Sequence, residues 1–173
     1  SVHEPTAEIA YLFRHALLRD AAYELQLPAD RASMHALAYE LIEQAFGGPA
    51  PAMPAMSKES MAPHATDAVA SELARHAELA LGAGLPVRSQ ALRSHRQAAL
   101  YAERQLQFVA ALAHWQRLEA LCDPADRGWV LLRMARQQYF TGDQPGAERS
   151  LEAALQVARA AGDTALQARA LST

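Results

Sequence analysis

Residues 128–163 read GWVLLRMARQQYFTGDQPGAERSLEAALQVARAAGD, and this stretch decides the fold. Leu131 and Met134 are large and apolar, and Ala135 beside them is small. Past Thr141-Gly142-Asp143, Ala147, Leu151 and Ala154 step by four and three in the order small, large, small. That spacing predicts two amphipathic helices. Glycine followed by aspartate cannot extend the first and starts the second, and Ala161-Gly162-Asp163 repeats the device twenty residues on. Alanine at the crossing points lets two helix axes approach to about 8–10 Å. The stretch is thus an antiparallel helical hairpin, and because it cannot bury its apolar face alone it needs neighbours.

The neighbours are legible on the upstream side. Gly82-Ala83-Gly84-Leu85-Pro86, 105–107 and Asp123-Pro124 separate expected helices at 67–81, 88–104, 108–121 and 126–140; those at 145–160 and 164–171 follow. In 108–121, Phe108, Ala111 and Trp115 occupy helix-packing places, and in 88–104 Ala98, Ala99 and Ala102 make a small-residue face. Before the array, 47–65 carries Pro49, Pro51, Pro54 and Pro63 among Ala, Met and Ser without period, which reads as a linker or tether. Upstream of it, residues 8–13 suit a short strand and 16–27 a helix that Pro28 stops. A second helix over 30–46 is expected to bury Met34, Leu37, Ala38, Leu41, Ile42 and Ala45, with His35 packed on that face.

The hairpin resembles the tetratricopeptide repeat (TPR) family. With Gly128 as first position, Leu131, Met134 and Ala135 fall on the family's places in the first helix and Ala147, Leu151 and Ala154 on those of the second; Ala111 and Trp115 fit an earlier second helix. The chain departs from the pattern at Gln138, where an aromatic is usual, and at Arg159, where a proline is usual. A generic antiparallel bundle is the alternative; the Gly142-Asp143 turn with small residues at fixed offsets favours the repeat. The resemblance implies an all-α, TPR-like superhelix over 66–173 whose first-helix faces line a concave surface. Arg96, Tyr101, Arg133 and Gln137 are the candidate contacts there for a protein or peptide. An exposed repeat end would favour self-association.

Residues 11–23, YLFRHALLRDAAY, with Arg31 and His35, resemble a segment of bacterial STAND-type signalling ATPases, which join an ATPase module, a winged helix and helical repeats. Relatives of that kind are attached to nucleotide cyclases or LuxR-type regulators. The resemblance implies that 1–46 is the closing part of a winged helix and that His15 matches a histidine facing the phosphates of bound ADP. Arg14 and Ala16 stand where that family usually has Met and Asp.

Composition excludes several classes. The chain has 173 residues, a net charge of −3 and 51% hydrophobic residues, so neither global disorder nor bulk attraction to nucleic acid or an anionic membrane is expected. Arg88, Arg93, Arg96 and Arg104 read as a solvated helix face. Lys58 is the only lysine and sits in the linker, and no phosphate-binding Gly-rich loop, nucleophile elbow or His-Glu-x-x-His motif occurs. Glu72 and His76 share a helix face but lack a third ligand in sequence, so no metal and no cofactor are expected. Cys122 is the only cysteine and reads as a packed thiol in a soluble cytoplasmic protein. Both ends read as boundaries inside a longer protein. The expectation is a non-enzymatic sensor or scaffold region of a larger signalling ATPase, contacting a partner or other domains of its parent chain. A free-standing TPR-like adaptor is the alternative.

Overall fold

The computed structural model describes residues 21, 23–57 and 61–172, which are all-helical. The expected strand at 8–13 and His15 lie outside the described residues, as does most of the helix expected at 16–27. The described helices are α1 (Pro28–Ala45), α2 (Ala70–Gly82), α3 (Arg88–Arg104), α4 (Phe108–Leu121), α5 (Pro124–Phe140), α6 (Gln144–Ala161) and α7 (Thr164–Leu171), with a 3₁₀ turn, Ala65–Val69, leading into α2. Each packs chiefly on its neighbours in the chain, and α7 also reaches back to α5.

The helix ends are set by three residue types. Proline occupies the first turn of α1, α5 and α6, where its missing N–H costs nothing. Pro28 therefore starts a helix rather than only ending the one before it, and α5 begins at Pro124, two residues earlier than the break at Asp123-Pro124 suggests. Asp143 and Asp163 accept from the backbone N–H of Gly146 and Leu166, both at 2.9 Å, capping α6 and α7. Just before each aspartate a left-handed glycine, Gly142 or Gly162, closes the preceding helix. The aspartate N–H then bonds back five residues, to Gln138 or Ala158, in the Schellman pattern. The same bond ends α1, α2 and α3, from Gly48 to Glu43, Leu85 to Ala80 and Gln107 to Ala102. The left-handed residue is Gly47 in the first, Gly84 in the second and Leu106, with φ 57°, in the third.

Three apolar clusters run along the stack. Tyr39, Leu73, Ala77 and Ala91 join α1 to α3. Ala99, Leu100, Ala111, Trp115, Leu118 and Val130 join α3 to α5. Leu131, Leu132, Ala154, Ala158 and Leu166 join α5 to α7. Trp115 is the largest fully buried side chain among the described residues. Ala111, Ala135, Ala147 and Ala154 are buried, Leu131 with them, while Met134 and Leu151 are partly buried against the clusters. Gly128 marks a close approach of α5 to α7: a Cβ there would stand 2.4 Å from Leu166 Cδ2.

The expected face of α1 is corrected. Ala32, His35, Tyr39 and Glu43 are buried, whereas Met34, Leu37 and Leu41 are 54%, 54% and 60% exposed. The helix turns its polar stripe inward because that stripe finds partners. Tyr39 Oη meets Ser94 Oγ at 3.0 Å, and Arg93 Nη2 donates to Glu43 Oε1 at 2.5 Å.

Candidate functional site: a groove holding its own linker

The linker does not hang free. Arg96, 4% exposed on α3, donates from both terminal nitrogens to successive carbonyls of the linker, Pro54 O at 2.5 Å and Ala55 O at 3.0 Å. A planar guanidinium presents donors in a fork, so it suits two adjacent acceptors where an ammonium would serve one. Met56 and Met61 pack against the cluster of Leu100, Trp115 and Leu118. Farther along, the linker's end is tied by Gln97, whose amide donates to Thr66 Oγ1 at 2.7 Å and Asp67 Oδ1 at 2.6 Å, and by an ion pair from Arg104 to Asp67.

The groove it lies in is built from two helix stripes. On α3 the lining residues are Ser89, Leu92, Arg93 and Arg96; on α5 they include Asp126, Trp129, Arg133 and Arg136. Steps of three and four put each set on one side of its helix. Leu118 of α4 and Cys122 just past its end floor a cavity of about 360 Å³ between Met53–Met56 and the helices. A smaller cavity of about 60 Å³ continues past Met56 and Ser57 to Trp129 and Leu132.

A half-buried carboxylate organises the wall. Glu103 Oε1 accepts from Trp115 Nε1 at 2.7 Å and from Gln137 Nε2 at 2.8 Å, while its Oε2 accepts from Arg133 Nη1 at 3.1 Å. The Arg133 guanidinium also sits 5.7 Å from the Trp115 ring centroid. Burial, then the charge of Arg133, pulls the Arg96 guanidinium below its ordinary value; burial does the same to Arg133, with Glu103 opposing. The linker carbonyls answer this burial at Arg96, and Glu103 answers it at Arg133.

Of the four contact residues expected from the sequence, the structure brings Arg96 and Arg133 to the groove. Gln137 is 1% exposed and committed to Glu103, so it supports the wall rather than meeting a ligand. Tyr101 is half-buried, with the Arg104 guanidinium 5.7 Å from its ring centroid, and does not line the groove. The solvated arginine face expected on 88–104 is corrected at Arg96, which is buried, and at Arg93, which is half-buried against Glu43; Arg88 and Arg104 are exposed while pairing with Asp123 and Asp67. Glu103 carries no motif; it stands seven residues after Arg96, on the same side of α3, and is the one acidic residue of that helix. Cys122 is half-buried; burial and the nearby Asp126 and Glu119 push its thiol up, which makes it a poor nucleophile.

Histidines pair across helices in two places. His76 Nε2 lies 3.1 Å from Glu72, and its Nδ1 lies 2.8 Å from Nδ1 of His35, whose Nε2 meets Tyr23 Oη at 2.8 Å. The same Nε2 of His76 also faces the Arg75 guanidinium at 3.1 Å, so a group that only accepts and a group that only donates meet at one nitrogen. In the second pair His95 Nδ1 and His114 Nδ1 are 3.0 Å apart, His114 Nε2 meets Ser71 Oγ at 3.0 Å, and the Glu78 carboxylate is 3.2 Å from His95 Nε2. Each pair uses its facing nitrogens on one another. Among the described residues no group of three or more His, Cys, Asp or Glu is disposed to hold a metal ion, and no helix is long and apolar enough to cross a membrane.

No known protein family matches the chain, and neither a curated protein nor a solved structure matches it.

Proposed function

We propose that the chain is a non-catalytic, TPR-like binding scaffold, and that it serves as the sensor and coupling region of a cytoplasmic STAND-type signalling ATPase. The observation that carries the binding part is the buried Arg96 fork on the carbonyls of Pro54 and Ala55, because it makes the groove between α3 and α5 a reader of peptide backbone. Stacked hairpins with Gly-Asp punctuation agree with a repeat array. The switch part rests on the YLFRHALLRDAAY segment and on His15, with residues 1–46 as a winged-helix remnant. Its partner is a protein or peptide, or another domain of the same parent chain.

The test is made on the full-length parent. A phosphate-binding loop ahead of Ser1 and a weakened ADP affinity in His15→Ala are the expected results. Unchanged ADP affinity together with unchanged basal activity removes the switch role and leaves a free-standing adaptor.

A further inference from the structure

We infer that residues 53–56 of the linker are a tethered ligand of the groove, and that the external partner is a protein segment of the same chemistry that displaces them. The inference rests on the scaffold reading and names the ligand class of that site. Residues 51–55 form no helix, so their backbone carbonyls are free to be read, and two of them are read by Arg96. Met53 and Met56 line the cavity on either side of the Pro54-Ala55 pair. Methionine fills irregular apolar gaps without demanding one shape, which suits an anchor that must also leave.

The packing is incomplete in the way a displaceable contact requires. A cavity of about 360 Å³ remains between the segment and the helices, whereas Trp115 in the cluster behind it is fully buried. The segment is held at both ends independently of the groove: Gly48 closes α1 through Glu43, and Thr66 and Asp67 are bound by Gln97 and Arg104. Release of 53–56 therefore leaves α1 and α2 in place. The fitting partner is a non-helical segment with two methionine- or leucine-sized side chains three residues apart and small residues or proline between them.

A tether holds its ligand at an effective concentration on the order of mM, so the chain as it stands masks its own groove. Any external segment is weakened in proportion to the masked fraction.

The probe is a fluorescein-labelled peptide of residues 49–57, followed by anisotropy. The chain carrying Met53→Ser with Met56→Ser is expected to bind it at least about tenfold more tightly than the unaltered chain. Adding Arg96→Lys is expected to remove most of that gain, because one ammonium cannot span two carbonyls. Equal binding by the altered and unaltered chains overturns the inference. So does loss of the helical circular dichroism signal on replacing 49–57 by a Gly-Ser segment of equal length, since the linker would then be part of the core. The His15→Ala comparison in the parent does not involve this peptide, so the two readings fail separately.

Discussion

Leu106 is the residue whose backbone works against its side chain. Five described helices end through the same back-bonded pattern, and four of them place glycine at the left-handed position. The fifth, α3, places Leu106 there with φ 57°. An L-residue in that conformation carries a steric cost of roughly 1 kcal/mol that glycine does not. Its side chain is 72% exposed, so little burial offsets the cost. Leu106→Gly is therefore expected to raise unfolding free energy by about 1 kcal/mol, read from the midpoint of urea unfolding at unchanged m-value. A lower midpoint would show that the leucine side chain packs more than its exposure indicates. The sequence marks 105–107 as a break, but a leucine gives no sign of the left-handed conformation it holds there.

Helix α1 shows the same problem at the scale of an element. Its apolar residues keep helical spacing, yet Met34, Leu37 and Leu41 face outward and Tyr39 and Glu43 face α2 and α3. Leu37→Gln is thus expected to change stability by no more than about 0.5 kcal/mol, as for an ordinary surface position. Glu43→Ala strips the acceptor from Arg93 Nη2 and Tyr39 Oη, and is expected to cost about 2 kcal/mol. Thermal unfolding of the two variants compares them directly, and the reverse order of effects would mean that α1 is rotated from the described position. Periodicity finds a helix and its approximate length, which is why 88–104 and 108–121 are legible to the residue. It does not find which face turns inward when a polar stripe has partners on another helix. The partners of Tyr39 and Glu43 lie at Arg93 and Ser94, far along the chain, and nothing local announces them. The groove was half legible for a related reason. Arg96 and Arg133 stand on visible stripes, but the proline-rich linker that fills the space has no period to read, and the carboxylate of Glu103 has meaning only once Trp115, Arg133 and Gln137 converge on it.

Among the described residues polar contacts tie neighbouring helices together, and two of these ties are histidine pairs. His35 and His76 join α1 to α2, while His95 and His114 join α3 to α4 with Glu78 of α2 alongside. Burial lowers all four, the charge of neighbouring groups adding to it. The strongest case is His95, 2% exposed, which burial and then Arg117 push down to about 4 from 6.5. The groups facing it are His114 and Arg117 on α4 and Glu78 on α2. The sign follows from proton uptake. Unfolded His95 binds a proton below about pH 6.5, whereas the folded residue resists it until about pH 4. Its contribution is therefore complete above pH 6.5 and is lost as pH falls towards 4, to a total of about 3 kcal/mol. The other three histidines act in the same direction. Urea unfolding at pH 7 and pH 5 is expected to show a clear loss of stability at the lower pH, and His95→Gln is expected to flatten the profile because it carries no titrating group. A profile that is level between those values, or one that His95→Gln leaves as steep as before, would remove the histidine pairs from the forces that hold the stack together.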